Sequence, residues 1–199
     1  MFCYDYHMNF IRESSPSEAI WEWLKAELNS SRFGADLRNA IHDAGYNDSI
    51  IVAADIKSPQ QNEVRWQILK SYRKWLDINF DSYRWQLVEL NRGDVSKLRY
   101  IDYSYWNELS DGTRKVERAV SNVVKGKIVF GVTHDRFFSV AKAVEAGQPL
   151  PPIIAIADSD KDKGEIIEGH LRATGYLLAG QSPQPLRAIW GRLRNETTR

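Results

Sequence analysis

The sequence has almost no cysteine, which limits the chemistry it can support. Cys3 is the only one among 199 residues, so the chain can form neither an internal disulfide nor a cluster of thiolate metal ligands. No apolar run approaches the roughly 18 residues that span a bilayer. The charged N-terminal segment also lacks the apolar core of a signal peptide. We therefore expect a cytoplasmic protein with no membrane partner.

The chain also lacks an excess of either charge. Its 27 basic and 26 acidic side chains give a formal net charge of +1, so contact with nucleic acid would depend on a local patch. It contains no internal repeat and no low-complexity tract. What it does contain is apolar: 43% of its residues are hydrophobic and 12% are aromatic, with seven Trp and nine Tyr. That composition is enough to build a folded core.

Residues 1–80 predict a mainly helical N-terminal extension. Serines followed by Pro16 are a helix-start signal, and apolar residues then recur at helical spacing. Gly45 is placed to end the second helix. The predicted helices span residues 16–29, 34–44 and about 60–77, and residues 49–54 fit either a short strand or a buried helical turn.

Residues 81–192 predict an α+β domain, because short strands and helices alternate after a change of composition near residue 80. Residues 193–199 predict a solvated tail. The predicted elements are a strand over 84–90, a helix over 113–125, an extended segment over 127–132, a helix over 134–146, a strand opened by Pro151 and Pro152 that ends at Ala157, a strand over 165–168, a helix over 169–180 and a strand over 185–190.

The most informative segment runs from Glu168 to Arg172, where a short buried strand meets the start of a helix. The amide groups at a helix N-terminus carry about half a positive charge, so a cation there costs about 0.3–1 kcal/mol. This segment nevertheless places His170 and Arg172 in the first turn, behind Gly169, which permits close backbone approach. The pattern indicates a seat for an anion such as phosphate. The alternative is a structural turn in which Glu168 pairs with Arg172 or caps the helix.

A second helix start lies at Ser110–Arg114. Its glycine, hydroxyl and guanidinium suit an anion, so Thr113 and Arg114 are candidates for a second phosphate contact. Ser, Asp and Thr are also favoured helix caps in their own right, and an ordinary capped helix explains the same residues.

A third candidate ligand is Arg136, which follows His134 and Asp135 at the start of the next helix. A histidine beside a carboxylate could transfer protons near neutral pH. The simpler interpretation is that Asp135 is an acid of the first helical turn and Arg136 is its exposed neighbour.

Two other patterns have ordinary explanations. Residues 158–164 alternate acids as calcium loops do, but Gly169 stands where the twelfth-position Glu belongs, so a solvated hairpin turn fits better. Residues 84–105 interleave basic and aromatic side chains, as a surface for single-stranded nucleic acid would. Acids dilute that charge, and alternating aromatic residues are also typical of one face of a sheet.

Three segments together resemble the ParB/sulfiredoxin-like domain. They are a helix ending in glycine over 138–147, a strand opened by proline over 150–154, and a strand leading into an acid-Gly-x-x-Arg helix start over 167–173. The resemblance covers about residues 95–191, is most specific over the last 60 of these, and leaves residues 1–80 unmatched. Relatives with this fold include CTP-hydrolysing DNA clamps, ATP-dependent sulfinic acid reductases, free-serine kinases and nucleases.

The resemblance implies a pocket for a nucleotide, ATP or CTP, with Mg²⁺. By position, Gly169, His170 and Arg172 would contact phosphate, and Glu168 would be the catalytic acid or base or the metal ligand, with His170 as a second catalytic candidate. Thr113 and Arg114 would contact the other end of the ligand. The chemistry expected is phosphoryl transfer or nucleotide hydrolysis.

The sequence departs from two branches of this family. The reductases carry a cysteine directly before the His-Arg pair, where this chain has Gly169, so a reductase is not expected. The clamps carry a basic helix-turn-helix domain after the fold, which this sequence does not include. The remaining hypotheses are a protein that binds a nucleotide or phosphorylated small molecule, a DNA-associated binding protein or nuclease, and an interaction protein with a degenerate pocket.

Overall fold

The computed structural model describes residues 8–157, 164–180 and 184–194. The chain divides into two compact units. One is the continuous segment Ser14–Tyr83, and the other joins the chain up to Glu13 to the chain from Arg84 onward. The second unit is therefore built from two separate segments of sequence.

The unit of residues 14–83 is helical, as the sequence predicts. Ser15 and Ser58 each accept a hydrogen bond from the backbone N–H three residues later, at 3.1 and 3.3 Å, and a proline follows each of them. These caps begin the first and fourth helices. Residues 49–54, for which the sequence allows either a short strand or a buried helical turn, form a helical turn. The helices are α1 (Pro16–Leu28), α2 (Gly34–Asp43), α3 (Ser49–Val52) and α4 (Pro59–Tyr72), and a 3-10 turn follows (Phe80–Ser82).

Helix α4 ends before its predicted limit of residue 77. Arg73 leaves the helical conformation, with φ −111° and ψ 62°, and forms an ion pair with Glu27 of α1, which is 3% exposed. The same carboxylate accepts hydrogen bonds from Trp23 Nε1, at 3.1 Å, and from the Tyr72 hydroxyl. The predicted C-terminal end of this helix is wrong, because apolar spacing in the sequence does not reveal a buried ion pair.

The second unit is a mixed α+β structure, so the predicted fold class is confirmed at this level. Its strands are β1 (Asn9–Glu13), β2 (Tyr83–Leu90), β3 (Arg99–Tyr100), β4 (Ile153–Ala157), β5 (Glu165–Glu168) and β6 (Leu186–Leu193). Across the described residues they form one six-stranded sheet in the order β1-β2-β6-β4-β5-β3. The β1–β2 and β4–β5 pairs are antiparallel, whereas β4–β6 and β3–β5 are parallel.

Five helices accompany this sheet in the described part of the chain. They are α5 (Arg92–Lys97), α6 (Ser104–Leu109), α7 (Val116–Val124), α8 (Asp135–Glu145) and α9 (His170–Leu178). Side chains from α7, α8 and α9 form one buried apolar cluster with residues of the strands. No helix of either unit, over the residues described, is both long and apolar enough to cross a membrane.

Two boundaries differ from prediction because tight turns intervene. The helix predicted over 113–125 begins only at Val116, since Asp111 and Arg114 have φ angles of 52° and 60°, which no right-handed helix contains. The segment predicted to be extended over 127–132 closes into a turn, with the Val132 N–H donating to the Val129 carbonyl at 3.0 Å.

The sequence analysis also does not predict β1, β3, α5 and α6. Strand β1 lies within the predicted helical extension but pairs with β2. Strand β6 extends to Leu193, the first residue of the predicted tail, and residues 195–199 of that tail lie outside the described residues. The four elements that were not predicted are short or begin in polar sequence, so their apolar periodicity is too brief to detect.

Helix α9 is fixed along its length and at its C-terminal end. Gly175 lies so close to α8 that a Cβ added to it would be 2.5 Å from Val140. At the other end, Arg92 donates to three carbonyl oxygens of the last turn, those of Tyr176, Leu177 and Ala179, at 2.6–3.0 Å. These are the carbonyls that a helix cannot satisfy internally. The start of α9 is therefore held in a defined position at the end of β5.

Candidate functional site

Gly169 forms the turn between β5 and α9. It has φ +96° and ψ 20°, a left-handed conformation, and as the N-cap residue it brings no side chain of its own to cap the first turn of the helix. A Cβ added here would lie 2.6 Å from Ile153 Cγ2 and 2.9 Å from Arg172 Nη2. Both the backbone angle and the close neighbours therefore require glycine. The uncapped first turn presents backbone N–H groups of the kind that bind anions.

Arg172 is held by two oxygens, one from the residue before β4 and one from the last residue of β5. Its Nη2 donates to the carbonyl oxygen of Pro152 and to Glu168 Oε1, both at 3.2 Å. The two side chains of the ion pair are 15% and 18% exposed. The buried Arg172 Nε has no hydrogen-bond partner among the described residues. The guanidinium thus joins the start of β4 to the end of β5, the pairing that the structural alternative for this motif predicts.

The His170 ring lies in a group of aromatic side chains. The residue is 9% exposed. Its imidazole stacks on Trp106 of α6, with ring centres 5.1 Å apart and planes inclined by 14°, and lies 5.8 Å from the Tyr100 ring. The Tyr100 hydroxyl is 2.8 Å from Thr174 Oγ1, one turn further along α9. The backbone of His170 therefore forms the first residue of α9, while its ring packs this helix start against α6.

The loop before α7 places its predicted ligands in contacts within the protein. Arg114 donates from Nε to the Tyr100 carbonyl at 2.8 Å and pairs through Nη2 with Glu165 at the start of β5. Thr113 Oγ1 donates to the Ser110 carbonyl at 2.7 Å. Burial raises the pKa of Glu165, and the charge of Arg114 opposes that effect. Arg114 and Arg172 thus bind carboxylates at the two ends of the same strand.

The remaining predicted residues do not converge on this turn. Arg136 is exposed on α8 and has no hydrogen bond or ion pair with the described residues. The acidic loop 158–163 lies outside the described residues. Among those described, no three His, Cys, Asp or Glu side chains come together as a metal site would require.

The basic aromatic surface considered for 84–105 is only partly exposed, since Tyr103 is 51% exposed but two of its aromatic residues are buried. Trp85 and Tyr100 are 2% and 0% exposed. The guanidinium of Arg92 donates hydrogen bonds to carbonyls in the last turn of α9, and Arg84 pairs with Glu13 at 2.7 Å. For Trp85 in β2 and Tyr100 in β3, the alternation of aromatic residues reflects sheet packing.

Asp111 connects this loop to α7 and to the segment that follows it. It accepts hydrogen bonds from Arg118, Asn122 and Lys127 at 2.6–2.9 Å. The bonds from Asn122, Lys127 and Arg118 hold the pKa of Asp111 well below its usual range. A group whose pKa is lowered by folding stabilises the protein above its unfolded-state pKa, and that contribution is lost as the pH falls toward the folded-state value.

We therefore predict that Asp111→Asn destabilises the protein more at pH 7 than at pH 3. Asparagine tolerates the left-handed conformation at this position, so the backbone should be unaffected. Urea unfolding at pH 7, 4 and 3 measures the difference. A difference in stability between variant and wild type that does not change with pH would contradict the prediction.

Sequence reasoning missed Pro152, Ile153 and Trp106, which surround the turn. The predicted hairpin makes β4 the neighbour of β5, as the structure has it, but it does not give the register that brings Pro152 beside Arg172. Helix α6, which carries Trp106, was not predicted. No protein-family model, curated protein or solved structure matches this chain.

Proposed function

We propose that this protein binds a nucleotide or another phosphorylated small molecule at the first turn of α9. The observation that carries the proposal is the glycine turn at Gly169, which opens an uncapped helix start with Arg172 in its first turn. Backbone N–H groups and a guanidinium are the usual partners of phosphate oxygens. Arg172 would exchange the Glu168 carboxylate for a phosphate oxygen when the ligand binds.

The proposal includes the ParB/sulfiredoxin-like fold. The order of α8, β4, β5 and α9 along the chain supports it, as do the glycine after α8 and the prolines before β4. Phosphoryl transfer or nucleotide hydrolysis, with Glu168 and His170 as the catalytic candidates, stays a prediction. A phosphate-release assay with ATP and CTP tests it.

The surroundings of Glu168 do not fit a magnesium ligand. Its Oε1 lies 3.2 Å from a guanidinium nitrogen, and a divalent cation at the same oxygen would be repelled by that charge. Magnesium commonly keeps several waters and binds through substrate phosphates. In this proposal Mg²⁺ accompanies the nucleotide's phosphates and is not placed by Glu168.

We expect ATP, CTP or GTP with magnesium to stabilise the protein against heat. A ligand at 100 times its Kd raises the free energy of unfolding by about 2.7 kcal/mol. Arg172→Lys should lose most of this shift, because an ammonium cannot form the paired hydrogen bonds of a guanidinium. Arg38→Lys, an exposed arginine of the other unit, should keep it. Thermal-shift measurements on all three proteins provide the comparison.

The same panel separates the rival functions. No shift with any nucleotide, together with DNA binding that weakens steeply with salt, would favour the DNA-associated hypothesis. No response in either assay would favour an interaction protein with a degenerate pocket.

A further inference from the structure

The Glu168 carboxylate is already paired with Arg172, the cation that the proposed phosphate ligand needs. Its carboxylate lies 3.2 Å from Arg172 Nη2, and both side chains are more than four-fifths buried. The second partner of the same nitrogen, the Pro152 carbonyl, carries no net charge. Glu168 is therefore the anionic partner of Arg172 in this turn, although sequence analysis assigns it to catalysis or to metal binding.

A phosphate at the start of α9 would face this carboxylate. The two anions would compete for one guanidinium, and whichever is displaced from Arg172 would remain close to the other as a like charge. The first turn of the helix and Arg172 lie four residues or fewer from Glu168 in sequence. The carboxylate therefore cannot move far from a phosphate bound at that turn.

We infer that Glu168 is an internal competitor of the phosphate ligand and limits its affinity for the start of α9. This role rests on the proposed function. It predicts the opposite sign from the magnesium role, because removing a competitor strengthens binding, whereas removing a metal ligand weakens it.

The substitution Glu168→Gln isolates the charge. The amide oxygen of glutamine can still accept the hydrogen bond from Arg172 Nη2, so the guanidinium keeps its place beside Pro152. Only the negative charge is removed. Because the amide also keeps the shape of the carboxylate, we expect the variant to fold as the wild type does, which circular dichroism and thermal unfolding would verify.

The experiment is a calorimetric titration of the full chain with inorganic pyrophosphate, without magnesium. We expect Glu168→Gln to bind about tenfold more tightly than wild type, a difference of about 1.4 kcal/mol. The control is Glu117→Gln, which removes the same charge from an exposed pair with Lys115 on α7. It should bind as wild type does.

Three outcomes are decisive. Tighter binding by Glu168→Gln alone supports the competitor role. If wild type binds pyrophosphate and Glu168→Gln binds equally or more weakly, Glu168 is not a competitor, but the binding function stands. If neither protein binds, the proposed function and this inference both fail.

Discussion

Gly169→Ala is expected to destabilise the sheet-containing unit by about 3 kcal/mol. An alanine in the left-handed conformation costs about 1–2 kcal/mol. Its Cβ would also lie 2.6 Å from Ile153 Cγ2 and 2.9 Å from Ile153 Cβ, and overpacking of this kind adds about 1–3 kcal/mol. Ile153 is fully buried in β4, so it cannot move aside without disturbing the sheet. Urea unfolding monitored by circular dichroism measures the loss.

Gly147→Ala separates the two contributions. Gly147 also has a positive φ, +73°, but an added Cβ there meets no atom within 4 Å. Its substitution should cost only the backbone part, about 1–2 kcal/mol. Equal losses in the two variants would show that Ile153 gives way and that the turn is less tightly packed than these distances indicate. Any nucleotide stabilisation should disappear in Gly169→Ala and persist in Gly147→Ala.

Much of the fold is predictable from local sequence. Helix α8 combines apolar residues at helical spacing with a glycine two residues after its end, and it spans Asp135–Glu145 within a predicted range of 134–146. Strand β5 is a short apolar run between polar residues and matches its predicted range of 165–168. In both cases the residues that define the element are neighbours in sequence, so no knowledge of tertiary contacts is needed.

Buried charges are the part that sequence does not reveal. Arg65 lies on α4, within the part of the predicted helix that the structure confirms, yet it is 0% exposed. It donates to the carbonyls of Ile50 and Asp55 at 3.0 and 2.9 Å, and burial lowers the pKa of its guanidinium. An arginine on a helix is ordinarily a solvated residue. Only the tertiary position of α3 and the loop after it makes this one structural.

The candidate site is predictable from sequence in part: its backbone is predicted, but the partner of its arginine is not. The order Glu168, Gly169, His170, Arg172 predicts a strand, a glycine turn and a helix start, and the structure has each of them. It does not determine the partner of Arg172, because a phosphate and the carboxylate four residues earlier are both anionic oxygen acceptors that a guanidinium can bind. The Pro152 carbonyl, which helps fix the guanidinium, comes from the residue before β4, 20 residues away in sequence.

Glu27→Leu is expected to have a still larger effect, on the helical unit. The carboxylate of Glu27 is 4% exposed and pairs with Arg73, whose side chain is 14% exposed. It also accepts hydrogen bonds from Trp23 Nε1 and the Tyr72 hydroxyl. Burial raises the pKa of Tyr72 most, and the hydrogen bond from its hydroxyl to Glu27 raises the pKa further. Leucine would leave three donors without an acceptor, one of them charged, and breaking a buried pair in this way costs about 3–5 kcal/mol.

The matched control for Glu27→Leu is Asp48→Asn in the same unit. Asp48 pairs with Arg38 at 3.0 Å, but these side chains are 42% and 51% exposed, and such surface pairs contribute about 0–1 kcal/mol. Urea unfolding followed by the fluorescence of the tryptophans in residues 14–83 should show a clear fall in midpoint for Glu27→Leu and almost none for Asp48→Asn. Comparable midpoints for the two variants would mean that water reaches Arg73 after the substitution and solvates it. In that case the end of α4 would be set by the turn after Tyr72 and not by the buried carboxylate.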